Sequence, residues 1–229
     1  MGRIEVFAID IDGTLTENGS KVSLNALTKL RSLENLGYKV IFVTGRSSIE
    51  AYILAMFLGT SRIAVGENGG VITTSPTDHI LLADKDYCEE AYRILRSRIP
   101  DVKIKPVFPR MTEVVLERTF SIDYATSIIE EEGLDVKIVD SMYAYHINHR
   151  SIDKAKGLSI ALEMLGTDLD SCIAIGDSET DIPLFKSCRY SVAIGNASDH
   201  VKSTAAHSVK CSDGNGLIEA IEHVIEKLN

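Results

Sequence analysis

Two carboxylates one residue apart close an apolar run near the amino terminus: Phe7-Ala8-Ile9-Asp10-Ile11-Asp12-Gly13-Thr14-Leu15. A strand buried on both faces reads as a continuous apolar stretch, so residues 4–9 are expected to thread a core. Asp10 then emerges at the carboxyl edge of the sheet, where open α/β sheets bind their ligands. The chain must turn at Gly13, so Asp10 and Asp12 can lie around one centre. Clustered carboxylates repel and are costly to desolvate unless a cation or proton joins them. A metal-assisted reaction is chemistry that would use them.

Three further signals end or open predicted elements in the same manner: Thr44-Gly45-Arg46, Lys154, and Gly176-Asp177-Ser178-Glu179-Thr180-Asp181. Each alone has a plain reading. Thr-Gly-Arg can be a turn, a lone lysine a solvated side chain, and Asp177 and Asp181 helix-capping acids. It is their joint order, after apolar strands or at the start of a helix, that points to one crevice.

The elements that must position them alternate. Leu24, Leu27, Leu30, Leu33 and Leu36 predict a helix stopped by Gly37. Lys39–Val43 reads as a buried strand, and Ser47-x-x-Glu50 as a capping box for a helix ending at Gly59. Residues 62–65 read as a third strand, and 71–74 with 80–82 as a hairpin. The middle changes to helix-strand-strand twice: helix 85–99, strands 102–108 and 113–117, helix 121–132, strands 136–139 and 143–147. Alternation returns with helix 153–165, strands 171–175 and 190–194, and helix 217–228. The expected fold is α/β, a doubly wound Rossmann-like parallel-sheet core with an inserted α+β cap domain. Its expected limits are 1–82 and 152–229 for the core and 83–151 for the cap.

With 229 residues, 45% hydrophobic, the chain can bury a sizeable core. Its net charge of −9 argues against nucleic-acid binding. It leaves an anionic small substrate open, because a bound cation reverses the local field. No apolar stretch approaches the roughly 20 residues of a membrane span, and the amino terminus lacks a signal-peptide pattern. The four dispersed cysteines read as thiols of a reducing cytosol. The expected localisation is cytoplasmic, as a monomer or homodimer.

With these residues in view, the whole chain resembles the haloacid dehalogenase-like hydrolase superfamily, in its large-cap (Cof-like) branch. Asp10-x-Asp12-Gly-Thr-Leu and Gly-Asp-x-x-x-Asp carry the match, while Thr44 and the lysine match by position and order. Within the branch it looks most like archaeal-type phosphoglycolate phosphatases. Two lysines compete for the family's Lys-Gly frame. Lys154-Ala155-Lys156-Gly157-Leu158 fits with Lys154 as the phosphate-binding residue; reading Lys156 instead shifts Ser159-Ile160 into the following positions. Thr180 departs from the asparagine common in related enzymes.

The resemblance implies Mg²⁺-dependent hydrolysis of a phosphate monoester, 2-phosphoglycolate first among them, through an aspartyl-phosphate. Asp10 would be the nucleophile and Asp12 the proton carrier. Asp10, the main-chain carbonyl of Asp12, Asp177 and Asp181 would hold or orient the metal, and Thr44, Gly45 and Lys154 the phosphoryl oxygens. The partner would be a small phosphorylated metabolite. Alternatives are a broad sugar-phosphate phosphatase of carbohydrate metabolism, a phosphosugar mutase, and a non-catalytic receiver-like module. Arg110 could meet a substrate carboxylate, but a solvated loop arginine is the plainer reading. His146 and His149 read as structural or exposed, and Asn68-Gly69-Gly70 as a turn without a role.

Overall fold

The computed structural model describes residues 4–17 and 20–228. The first strand, β1 (Val6–Ile9), is fully buried. A small hairpin, β2 (Thr16–Glu17) and β3 (Lys21–Val22), follows the Asp10–Leu15 turn. Then come α1 (Leu24–Asn35), β4 (Lys39–Val43), α2 (Ser48–Leu58), β5 (Ala64–Gly66), β6 (Val71–Thr73) and β7 (His79–Leu81). The insert holds α3 (Asp86–Arg98), β8 (Val114–Leu116), α4 (Ile122–Glu131), β9 (Val136–Asp140) and β10 (Tyr145–His149). The chain returns through α5 (Lys154–Met164), β11 (Cys172–Gly176), α6 (Ile182–Ser187), β12 (Tyr190–Ala193), α7 (Asp199–Thr204), β13 (His207–Ser208) and α8 (Asp213–Leu228).

The main sheet has the order β13-β12-β11-β1-β4-β5-β6-β7. The pairings from β13 to β5 are parallel; β6 and β7 add antiparallel edge strands. The chain winds from β1 toward β4 and β5, then returns to the other side through β11. The winding direction therefore reverses beside β1, and the crevice past its carboxyl end is where such sheets bind ligands. Alternation along β1 feeds both faces. Phe7 and Ile9 join α1, α2 and α8 in one apolar core, while Val6 and Ala8 join α5, α6 and α7 in the other. The fold class read from the sequence is the one found.

The insert has its own antiparallel sheet, β8-β10-β9. Cys88, Ala91 and Leu95 of α3 and Ala125, Ile128 and Ile129 of α4 pack on Leu116, Val136, Tyr145 and Ile147. The expected strand 102–108 is reduced to one bridge, Ile104 to Leu116, with Lys105 N–H donating to the Val115 carbonyl at 2.9 Å. Pro106 and Pro109 have no N–H for a ladder and stop it there. The five leucines around α1 also divide. Leu30 and Leu33 are buried, but Leu24 and Leu36 are exposed. A strict spacing of three drifts around a helix of 3.6 residues per turn, so they cannot all face one core. The hairpin β2–β3 and the elements α7 and β13 carry too few apolar residues to have been read from sequence.

Candidate active site

Asp10 follows β1 directly, and its N–H donates to the Ile175 carbonyl of β11 at 3.0 Å. Its side chain is buried. Lys154 opens α5, capped by the Asp153 carboxylate, which accepts from the Lys156 N–H at 2.8 Å. The Lys154 ammonium, 2% exposed, donates to Asp10 Oδ1 at 2.7 Å and to Asp181 Oδ1 at 2.6 Å. Lys156 points to solvent. Of the two candidate lysines, Lys154 is the one brought to the carboxylates.

This reach depends on glycine. Gly69 has φ +102°, and a Cβ there would lie 1.9 Å from the Asp153 carbonyl oxygen. A Cβ on Gly157 would fall 2.6 Å from the Gly69 carbonyl oxygen. The amino end of α5 therefore lies directly on the Glu67–Gly69 turn. The sequence motif Asn68-Gly69-Gly70, read as a turn without a role, is the seat of the lysine helix.

Asp177 leaves β11 and meets the first loop. Thr14 Oγ1 donates to its Oδ1 at 3.1 Å, and Asn196 Nδ2 to its Oδ2 at 2.8 Å. Gly13 approaches so closely that a Cβ there would stand 2.4 Å from Asp177 Oδ2. Asp181 is fully buried. Its Oδ2 accepts from the Asp177 N–H, the Ser178 N–H and the Ser178 hydroxyl at 3.0–3.1 Å. Thr180, at the position where asparagine was expected, shares a 2.7 Å hydrogen bond with the Ser178 hydroxyl.

Oxygens of Asp10, Asp177 and Asp181 lie within 4.8 Å of one another. Three clustered carboxylates thus face a single ammonium, which bonds to two of them. Burial, only partly offset by Lys154, pushes the Asp10 carboxyl well above its ordinary range, and Asp181 and Asp177 add to this. Burial, then Asp181, pushes Asp177 up to about 7. Burial opposes the charge of Lys154, but Asp10 and Asp181 hold its pKa above the ordinary lysine value. A divalent cation with hard oxygen ligands fits this uncompensated charge. Asp181 is the least available ligand: Lys154 holds its Oδ1 and three donors its Oδ2, whereas each oxygen of Asp177 takes one.

Thr44 and Gly45 stand one strand over, past the end of β4. Thr44 is buried, and its Oγ1 accepts from the Arg46 N–H at 3.2 Å. Asp12 turns away from the buried cluster. It is gripped by Arg46 from two nitrogens, Nη2 to Oδ1 at 2.6 Å and Nε to Oδ2 at 2.8 Å. Arg46 Nη1 reaches Glu50 Oε1 at 3.3 Å, and Glu50 Oε2 receives Arg110 Nη1 at 3.4 Å. Arg110 is not a solvated loop residue: its side chain is 8% exposed, with Nε 3.0 Å from Glu113 Oε1.

Glu113 organises the junction between insert and core. Its Oε2 contacts His146 Nδ1 and Asn148 Nδ2 at 3.0 Å and Asn68 Nδ2 at 3.3 Å. Burial pushes this carboxyl up, but His146, Arg110 and Asn148 outweigh it and hold the pKa below the ordinary glutamate value. Glu67, also buried, accepts from the Met111 and Thr112 N–H groups and the Thr112 hydroxyl. Glu67 and Asn68 both have φ +53°, backbone strain of the kind that persists where surroundings over-determine it. Sequence reading named Arg46 and Asn68 within their motifs without giving either a role of its own, and did not single out Glu67 or Glu113. One signal was present: His146 and Asn148 alternate with Tyr145 and Ile147, so β10 must turn a polar face away from its own apolar core.

A family model described as haloacid dehalogenase-like hydrolase matches residues 7–105 and 110–221. A phosphoglycolate phosphatase of Nitrosopumilus maritimus is 52% identical over 217 residues, 94% of each chain. One from Archaeoglobus fulgidus is 35% identical over 97% of each. A crystal structure of a Thermoplasma acidophilum protein superposes over the full length of both chains with a TM-score of 0.87 at 25% identity.

Proposed function

We propose that this chain, which belongs to the haloacid dehalogenase-like hydrolase family, is a Mg²⁺-dependent phosphatase that converts 2-phosphoglycolate to glycolate and phosphate. The observation that carries the reading is the buried lysine shared by Asp10 and Asp181 beside Asp177. The substrate rests on the names of relatives that match nearly the whole chain.

Lys154 orients Asp10 through Oδ1, leaving Oδ2 to attack phosphorus. The bond from phosphorus to the ester oxygen breaks as the bond to Asp10 forms. Asp12 gives its proton to the departing glycolate oxygen, a role open to the acid that is not part of the buried cluster. Asp12 then takes a proton from water, whose oxygen attacks phosphorus and restores the Asp10 carboxylate. Lys154, the Thr44 hydroxyl and the Gly45 N–H hold the phosphoryl oxygens. Asp10, Asp177 and the Asp12 carbonyl would hold Mg²⁺, with Asp181 orienting from behind. When bound, the ion lessens repulsion between the attacking carboxylate and the phosphate. The insert covers the crevice, excludes water and selects the leaving group. Among the described residues no helix is long and apolar enough to cross a membrane, and we place the enzyme in the cytoplasm, as a monomer or homodimer.

Phosphate release from phosphoglycolate and a panel of sugar phosphates, with and without Mg²⁺, tests this. Phosphoglycolate is expected to lead the panel and to need the metal. A sugar phosphate turned over faster would overturn the substrate, and metal-independent release the mechanism.

A further inference from the structure

In the proposed reaction Asp12 must use its carboxylate oxygens to move a proton. In the structure both oxygens are already bound by one guanidinium, in the parallel two-point geometry that fits any carboxylate. The two partners are not held equally. Arg46 is anchored on its far side by Glu50, which the Ser47 hydroxyl fixes at 2.8 Å and Arg110 of the insert contacts. Asp12 has a side chain 45% exposed, on a loop that turns through a left-handed glycine. If the pair separates, Asp12 is the member that moves.

Arg46 also borders a largely apolar cleft of about 450 Å³, lined by Ile49, Ile53 and Phe57 of α2 and Phe108, Pro109 and Met111 of the insert; the face of the guanidinium that matters here is the other one, which holds Asp12. In phosphoglycolate only one carbon separates the carboxylate from the ester oxygen, so one molecule can engage Arg46 and Asp12 together.

We propose that Arg46 recognises the substrate carboxylate by exchange: the substrate takes the place of Asp12 on the guanidinium and so frees Asp12 to take a proton from solvent water and turn it toward the leaving oxygen. This rests on the phosphoglycolate reading above and adds to it a specificity residue. Exchanging one carboxylate for another leaves Arg46 paired throughout. A phosphate ester without a carboxylate cannot make the exchange, and Asp12 stays sequestered. Selectivity and proton transfer are thereby set by the same ion pair.

The test uses the full-length, Mg²⁺-loaded protein and two esters of equal length, phosphoglycolate and ethyl phosphate. The wild-type arm examines the substrate reading on its own: failure to favour phosphoglycolate would sink that reading before any variant is made. For Arg46→Met, the ratio of kcat/KM between the two esters is expected to fall by at least about tenfold. Sodium acetate should raise wild-type turnover of ethyl phosphate by about twofold or more, by occupying Arg46 in trans, and should not do so in the variant. A merely structural arginine would lower both esters together and leave the ratio unchanged; that result, or no effect of acetate on the wild type, overturns the exchange. Should Arg46→Met not fold, Arg46→Lys keeps the charge but not the fork, and its ratio must also fall.

Discussion

At the scale of single residues the site is an accounting of charge. Lys154 sits between Asp10 and Asp181, so its removal leaves buried carboxylates unpaired. Lys154→Ala is expected to lose about 3–5 kcal/mol of stability along with its activity, whereas exposed Lys156→Ala should stay within about 0.5 kcal/mol. Urea unfolding and phosphate release on both variants check this. Asp10→Asn should keep the fold, by circular dichroism, and lose turnover by at least about a thousandfold, because an amide cannot form the phosphoryl intermediate. Glu113 has a measurable acid limb. Its folded pKa lies below the ordinary 4.5, so its stabilising effect is present above that value and lost as pH falls through the folded one. Glu113→Gln should cost about 3 kcal/mol at neutral pH and unfold with a flatter pH dependence below 4.5, read from melting temperatures across the acid range.

At the scale of elements, what could be read in the sequence was local. The strand Lys39–Val43, the Ser47–Glu50 capping box and the αL stop at Gly59 stand where the residues placed them, because each depends on neighbours in the chain. Asp10, Lys154 and Asp177 could be nominated because each closes or opens such an element. The junction could not. Glu67, Glu113 and Arg110 lie up to 46 positions apart and meet only when the insert settles on the core, so their spacing carries no period. The leucines of α1 and the proline-interrupted 102–108 segment fail for a different reason, since both present apolar residues without the geometry to use them. The contact of α5 with the Gly69 turn yields a prediction of its own. Gly69→Ala meets both an unfavourable φ and a backbone oxygen 1.9 Å away. It should cost more than about 2 kcal/mol and reduce activity by displacing Lys154, an outcome that parallel unfolding and kinetic measurements would register.

At the scale of the whole molecule, the parts join around a region of excess negative charge. A cation that binds the folded state alone should stabilise it, by about 2.7 kcal/mol at a hundredfold excess over its Kd. Melting curves with Mg²⁺ and with EDTA should separate accordingly, and Asp177→Asn should bring them together. Glu50 links the parts in another way. One of its oxygens takes the Ser47 hydroxyl and N–H that close the start of α2, and the same oxygen receives Arg110 from the insert, while the other faces Arg46. A helix-capping position is ordinarily a safe place to engineer, since its effects stay within one turn. Here any such substitution would be pleiotropic: tuning the helix would also retune the seating of the insert and the reactivity of the loop at Asp12.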